Sequence, residues 1–266
     1  MARLRIAAVQ TAGTPGDIEA NLAELDEAAA RAADRGADLL ITPELFVTGY
    51  DVGDLGPQAR QPLAARVGEL RRRRDIAILA GIPEELPGGV GNCATLLDES
   101  GRVLARHAKA HLFGDLDRDR FVPGDRLVTT VDFRGVRISL LICYDVEFPE
   151  AARAAALDGA DLIAVPTAQM EPFAFVADTV IPARAWENQV YLAYTNHVGQ
   201  EAGTVYVGRS SIVAPDGSLL QRADEEPALL VADVDGEVVA RARRANPYLL
   251  DRRTDLHPQA LPGRPQ

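Results

Sequence analysis

Cysteine, histidine and tryptophan are all scarce in this sequence, with two, four and one copies among 266 residues. Two cysteines allow one disulfide at most, and a domain of this size does not need one, so we expect a reducing, cytoplasmic setting. Long apolar runs are absent too, and the opening stretch MARLRIAAVQ has no signal-like cleavage region. We therefore expect no membrane association.

Positive charge is also in short supply. Lys and Arg together number 28 against 39 Asp and Glu, which gives a formal net charge of −11 at pH 7. A polyanionic partner is repelled by such a chain, so binding to nucleic acid is disfavoured. The local arginine run at 71–74 does not change this prediction, because we interpret it as the solvated end of a helix.

Several motifs of well-known catalytic and binding sites are missing. The chain has no G-x-S-x-G, and its glycine-rich turn at Leu86 to Cys93 lacks the lysine of a phosphate-binding loop. His107 and His111 are four residues apart, but they lie in an apparent strand and lack the H-E-x-x-H pattern. We predict that the protein uses no metal ion and no organic cofactor.

Apolar strands alternate with helices along the chain, which is typical of α/β architecture. We predict strands over 3–10, 37–42, 76–80, 136–142 and 162–165, and helices over 18–32, 62–74, 149–157 and 181–188. No linker is evident, so we predict a single domain over 1–266. The segment 246–266 is polar and rich in proline, and we expect it to be extended and to cover the domain or a partner subunit.

One internal similarity stands out. AARAADRGADLLITPE (Ala29 to Glu44) aligns without gaps on ARAAALDGADLIAVPT (Ala152 to Thr167), with shared Gly, Asp and Pro. Two related helix–strand units in a pseudo-symmetric pair of sheets would explain the match. Two ordinary α/β units with similar turn residues would explain it as well.

Three polar residues fall at the ends of predicted strands, where sites form in α/β sheets. These are Glu44, Lys109 and Cys143. Each alone is weak evidence, but together they solve one chemical problem. A thiol reacts as its thiolate, so it needs a base to take its proton and a cation to stabilise the charge that develops. The backbone N–H of Tyr144 can complete such an oxyanion hole. A pairing of Cys143 with His111 or His197 remains an alternative.

The segments around these residues resemble the nitrilase superfamily of carbon–nitrogen hydrolases. The resemblance covers nearly the whole chain, in the order expected of the family. It rests on IAAVQTA, LLITPELFVTGY, KAHLFGD, LLICYDVEFPE, IPARAWENQVYLAYTNHVG and GRSSIVAPDGSLL. It implies a four-layer αββα sandwich in which two sheets lie face to face.

The resemblance also implies roles for particular residues. Glu44 becomes the general base, Lys109 the cation that holds the oxyanion and Cys143 the nucleophile. Many members add a second glutamate after the lysine, where this chain has only Asp115, Asp117 and Asp119. We favour Asp117 as the helper carboxylate. The sequence CYD resembles the aliphatic and (R)-stereoselective amidase branch.

By resemblance, the expected reaction is hydrolysis of a small carboxamide by water, through a thioester on the cysteine. A nitrile or an N-carbamoyl amine is the alternative substrate, and a non-catalytic scaffold the remote one. The implied pocket is mostly apolar and aromatic, which favours neutral substrates, and consists of Tyr50, Tyr144, Gln169, Met170, Phe173 and Trp186. Helices 149–157 and 181–188 are expected to form the interface of a homodimer or a larger homo-oligomer.

Overall fold

Two six-stranded β-sheets form the centre of the computed structural model, which describes residues 2–71 and 75–256. The strand order is β14-β1-β2-β3-β4-β5 in the first sheet and β13-β12-β9-β8-β7-β6 in the second. The short strands β10 and β11 pair with each other. The strands are β1 (Arg3–Gln10), β2 (Leu39–Ile41), β3 (Ala77–Leu86), β4 (Gly89–Leu97), β5 (Val103–Ala108), β6 (Thr129–Phe133), β7 (Val136–Leu140), β8 (Leu162–Pro166), β9 (Tyr191–Thr195), β10 (Gln200–Glu201), β11 (Thr204–Val205), β12 (Ser211–Val213), β13 (Leu219–Arg222) and β14 (Ala228–Asp235).

Helices cover the outer faces of both sheets. The α-helices are α1 (Ile18–Asp34), α2 (Gly56–Ala59), α3 (Leu63–Arg71), α4 (Gly114–Arg118), α5 (Pro149–Leu157), α6 (Ile181–Asn188), α7 (Gly236–Ala245) and α8 (Tyr248–Asp251). Short 3₁₀ turns span Cys143–Glu147 and Thr254–Leu256, and a π-turn over Val176–Val180 leads into α6. No helix in the described part of the chain has the length and apolar character needed to cross a membrane.

The core has three apolar layers. The inner layer lies between the sheets and joins residues such as Ile6 and Leu39 of the first sheet to Ile138 and Leu162 of the second. A second layer packs α1 and α3 on the first sheet, and a third packs α5 and α6 on the second. The order helix, sheet, sheet, helix confirms the predicted four-layer αββα sandwich.

Helix α1 shows how the sequence specifies these layers. Asp17 caps its start by accepting a hydrogen bond from the Ala20 N–H at 3.0 Å. Leu22 and Leu25 then recur on one buried face with three alanines. Gly36 follows the last turn with φ of +72°, a conformation that favours glycine, and the chain turns back into β2.

The two segments of the internal similarity occupy equivalent places. One provides the end of α1 and strand β2, and the other provides α5 and strand β8. Each of these strands is flanked on both sides by parallel strands in its sheet. The Glu44 N–H donates to the Thr167 carbonyl oxygen at 3.2 Å, which joins the two aligned end positions across the sandwich.

Three details differ from the sequence-based expectations. The turn expected over 86–93 is only Pro87-Gly88, because positive φ at Gly88 and Gly89 allows a tight connection and lets β3 and β4 extend further. Strand β6 and helix α7 were not predicted. The segment 246–266 is described only to Leu256, and there it contains two short helical turns rather than extended chain; 257–266, like 72–74 of the arginine run, lie outside the described residues.

Candidate active site

Glu44 sits on a loop after β2 that is tightly packed. Leu45 adopts a φ of +49°, and Gly81 on the adjacent strand lies directly against the loop. A Cβ on Gly81 would fall 2.3 Å from the Pro43 carbonyl oxygen, so only glycine fits there. His197 Nε2 donates to the Glu44 carbonyl oxygen at 2.7 Å. The backbone of Glu44 is therefore fixed in position.

The two carboxylate oxygens of Glu44 have different surroundings. Oε1 accepts hydrogen bonds from Lys109 Nζ at 2.7 Å and from Asn92 Nδ2 at 2.6 Å. Oε2 is buried and has no hydrogen-bond partner among the described residues. Burial raises the pKa of Glu44, although Lys109 opposes that rise. One oxygen is thus fixed, while the other can accept a proton.

Lys109 follows β5 and is almost completely buried. Its backbone N–H donates to the Asn92 carbonyl oxygen at 2.8 Å, and Nζ donates to Asp117 Oδ2 at 2.7 Å as well as to Glu44. Burial acts to lower the pKa of Lys109, but Glu44, Tyr50 and Asp117 outweigh it and hold the pKa well above its usual value. The ammonium therefore stays charged.

Asp117 is the aspartate of the GDLDRDR segment that reaches this cluster. It lies on α4 and is fully buried, whereas Asp115 and Asp119 point to solvent. Besides Lys109, Tyr50 donates to its Oδ1 at 2.6 Å and the Phe113 N–H donates to its Oδ2 at 2.9 Å. The Asp117 carboxylate thus holds Lys109 in place together with Glu44.

Cys143 begins the turn after β7 with a φ of +43°, a strained value for a residue with a side chain. Such a bend presents the sulfur at the end of the sheet. Sγ contacts Gln169 Oε1 at 3.7 Å. Burial and the nearby Glu44 raise the pKa of the thiol well above its usual value, while Lys109 and the Ala168 N–H act against the rise. A base is therefore needed to form the thiolate.

Asp145 connects the nucleophile's turn to the strand that leads to Lys109. It accepts from the Ile142 N–H at 3.1 Å, from the His111 N–H and Nδ1 at 2.9 and 2.8 Å, and contacts His107 Nε2 at 3.3 Å. Burial alone would raise the pKa of Asp145, but the hydrogen bonds from His107 and His111 lower it to about 2. The Asp145 carboxylate therefore stays ionised at neutral pH and is held in place beside the turn that carries Cys143.

Neither histidine of the alternative pairing is hydrogen-bonded to Cys143, whose sulfur contacts Gln169 instead. His111 directs its Nδ1 at Asp145 and stacks on Phe148 with ring centroids 3.9 Å apart. His197 directs its Nε2 at the Glu44 carbonyl oxygen. Both rings act as supports of the loops around the site.

A narrow pocket of about 240 Å³ lies beside Cys143. Its other lining residues are Tyr50, Phe113, Tyr144, Glu147, Ala168, Gln169, Met170 and Phe173. Trp186, which was also predicted to line the pocket, does not. Helix α6 directs the Trp186 ring outward, so Trp186 is 46% exposed, and its ring packs edge-on against Tyr248.

A larger space of about 840 Å³ lies between the β3–β4 hairpin and residues 122–126. Its lining includes Cys93 but not Cys143, Glu44 or Lys109, and Arg106 on its wall is already bonded to Glu84. Within residues 2–71 and 75–256, no group of three or more His, Cys, Asp or Glu side chains is arranged to hold a metal ion. The reactive groups therefore point to the smaller pocket as the site.

Phe113 and Ala168 of the pocket were not predicted from the sequence, and three polar residues of the site were missed as well. Asn92 lies in the glycine-rich stretch that was considered only for phosphate binding. Asp145 and Glu147 both belong to LLICYDVEFPE, yet no role was assigned to either. A further signal was overlooked as well, because Lys109 is the only lysine in the whole chain.

Comparisons with known proteins agree with this fold. The model of the carbon-nitrogen hydrolase family matches residues 5–244. An (R)-stereoselective amidase of Pseudomonas sp. is 38% identical over 258 residues, covering 95% of this chain and 93% of its own. A protein described as "Hydrolase in pqqF 5'region" of Pseudomonas protegens is 43% identical, covering 96% of this chain and 90% of its own.

Solved structures show the same similarity. An amidase of the nitrilase superfamily from Nesterenkonia AN1 superposes with a TM-score of 0.87 at 42% identity, with 96% of each chain covered. A mutant of that amidase is known in complex with butyramide. Another shows covalent addition of the acetamide moiety of fluoroacetamide at the active-site cysteine.

A four-layer αββα sandwich with a buried acid, lysine and cysteine at one end defines a class of hydrolases that act on carbon–nitrogen bonds. The chain belongs to the carbon–nitrogen hydrolase family.

Proposed function

We propose that the protein is an amidase that hydrolyses a small carboxamide to a carboxylic acid and ammonia. One observation carries the proposal. Glu44 has one oxygen fixed by Lys109 and Asn92 and a second that is buried without a partner, in a cluster that also acts on the Cys143 thiol. This arrangement supplies a base, a cation and a nucleophile at one place.

The reaction proceeds in two halves. Glu44 takes the thiol proton, and Cys143 Sγ attacks the amide carbonyl carbon. Lys109 Nζ and the Tyr144 N–H stabilise the oxyanion, and Asp117 holds Lys109 in place. Glu44 then gives the proton to the leaving nitrogen, so ammonia departs and a thioester remains.

In the second half, Glu44 takes a proton from water as the water attacks the thioester carbonyl. The C–S bond breaks, the sulfur regains its proton through Glu44, and the carboxylic acid leaves. The same carboxylate thus acts as base and acid in both halves, which requires an oxygen without a permanent partner.

Amides are favoured over nitriles and N-carbamoyl amines. The support comes from the amidase relatives, and from the butyramide and fluoroacetamide structures of the Nesterenkonia enzyme. The pocket beside Cys143 is small and narrow, which suits a short acyl chain. Product analysis on matched amide, nitrile and carbamoyl substrates separates the three reactions.

Ammonia release from butyramide tests the proposal. We expect turnover by the wild-type protein, loss of turnover in Cys143→Ala, and an acyl adduct on Cys143 detectable by mass spectrometry. Cys93→Ala is the matched control, because Cys93 is the other cysteine, is buried on β4 and is not among the residues that line the pocket. Turnover like that of the wild type in Cys143→Ala would refute the proposal.

We also propose a cytoplasmic homodimer formed through α5 and α6. Both cysteines are free thiols, as suits a reducing compartment. Leu157, Trp186 and Leu250 expose large apolar surfaces on or beside these helices, which is typical of an interface. We expect light scattering to give about twice the 28.5 kDa chain mass, and a particle of 28.5 kDa at micromolar concentration would contradict the dimer.

A further inference from the structure

Glu147 places a carboxylate in the substrate pocket that the proposed reaction does not use. It ends the 3₁₀ turn that begins at Cys143, and it lines the same pocket as the sulfur. Of the described residues that line this pocket, Glu147 is the only acid. Its carboxylate is hydrogen-bonded to the Gln169 side chain, whose Oε1 contacts Cys143 Sγ. Only the Gln169 side chain therefore separates the negative charge of Glu147 from Cys143 Sγ.

The nearby cations are bonded to other groups. Lys109 Nζ donates to Glu44 and Asp117. Arg184 donates to the carbonyl oxygens of Val146 and Glu147 and to the carboxylate of Glu187. None of these hydrogen bonds joins Lys109 or Arg184 to the Glu147 carboxylate. Burial raises the pKa of Glu147, while Lys109, the hydrogen bond with Gln169 and Arg184 lower it, so the net rise reflects incomplete compensation of its charge.

The remaining walls of the pocket offer little that could screen this charge. Phe113, Ala168, Met170 and Phe173 are apolar, and Tyr144 presents an aromatic ring. A half-buried carboxylate among such neighbours attracts a positive or N–H-donating group and repels a second carboxylate.

We propose that Glu147 determines the substrate class: it makes the pocket select carboxamides whose acyl chain carries an ammonium or another N–H donor, and reject those whose acyl chain carries a carboxylate. This proposal rests on the amidase function proposed above and names the substrates within it. Glu147 acts on the acyl chain and takes no part in bond making or breaking.

Three amides of matched length test the selectivity near neutral pH. Butyramide ends in a methyl group, β-alaninamide carries an ammonium at the same position, and succinamate carries a carboxylate there. We expect the wild-type kcat/KM to be at least about tenfold higher for β-alaninamide than for succinamate, because juxtaposed like charges disfavour binding. We expect that ratio to fall by about tenfold or more in Glu147→Gln, which keeps the shape of the side chain and one acceptor oxygen but removes the charge.

Glu150→Gln is the matched control. It removes the same charge three residues later, from an exposed position on α5 that does not line the pocket. We expect the ratio in this variant to equal that of the wild type. A ratio that is unchanged in Glu147→Gln, or that falls equally in both variants, overturns the proposal.

Two further outcomes are equally decisive. Equal losses on all three amides in Glu147→Gln would place Glu147 at the carboxamide group or in the stability of the fold, and would overturn its role in selectivity. Absence of turnover on every amide would refute the proposed function instead. Calorimetric binding of the three amides to Cys143→Ala then measures the selectivity without chemistry, and equal affinities for β-alaninamide and succinamate would overturn the proposal.

Discussion

Replacing Lys109 with methionine removes one buried positive charge and keeps most of the side-chain volume. Nζ lies 2.7 Å from both Glu44 and Asp117, and both carboxylates are fully buried. Removing one partner of a buried ion pair costs about 3–5 kcal/mol, because the remaining charge is uncompensated. At about 2–4 °C per kcal/mol for a large domain, the melting temperature should fall by roughly 6–20 °C.

The same change should also impair catalysis. Loss of one donor to a developing oxyanion costs about 2.7–4 kcal/mol, or about 10²–10³ in rate. Thermal unfolding followed by circular dichroism measures the first effect, and kcat/KM for ammonia release measures the second.

The double variant Lys109→Met/Asp117→Asn separates the two effects. It removes one of the two uncompensated carboxylates, so part of the lost stability should return while kcat/KM stays low. Lys109→Arg is the control for charge alone, and its larger, planar group should not restore activity. An unchanged melting temperature in Lys109→Met, or activity regained in the double variant, would refute this reasoning.

Two other substitutions probe the supports of the site. Gly81→Ala should cost about 1–3 kcal/mol of stability and most of the activity, because its Cβ would press on the Pro43 carbonyl oxygen. Gly203→Ala is the control, because no atom lies within 4 Å of the added Cβ. It should be neutral in the same chemical-denaturation and turnover assays. Asp145→Asn should cost about 2 kcal/mol at pH 7, since the folded pKa of about 2 lies below the ordinary 3.8. That contribution is present above about pH 4 and is lost as pH falls towards 2, so a difference in denaturation midpoint that stayed constant down to pH 2 would contradict it.

Much of the fold could be predicted from the sequence because its signals are local. The apolar runs of β1 and β8 and the helical spacing of α1 and α5 fix both the layers and the positions of the strand ends. Glu44 and Cys143 each follow a strand, where sites form in α/β sheets, so both could be expected at the site although their strands lie in different sheets. The contact between the aligned positions Glu44 and Thr167, by contrast, was not predicted from their alignment.

What the sequence did not reveal depends on contacts between distant segments. Asn92 reaches Glu44 only because β4 lies beside β3 in the sheet, and no local pattern encodes that hydrogen bond. Trp186 is an aromatic residue of the kind that lines pockets, but the orientation of α6 places its ring at the surface. Which of the three aspartates enters the site depends on its position around helix α4 and its end, because Asp117 is buried there while Asp115 and Asp119 are exposed.

The single lysine of the chain is explained by the geometry around it. Arginine supplies every other side-chain cation except histidine, yet the position between Glu44 and Asp117 holds an ammonium. An ammonium has three N–H donors on one compact atom, whereas a guanidinium spreads its donors over a rigid plane. Two of the three donors are used by the carboxylates at 2.7 Å. In the proposed reaction the third donor is left for the oxyanion, so the two carboxylates would orient this N–H as well as balance the charge of the ammonium.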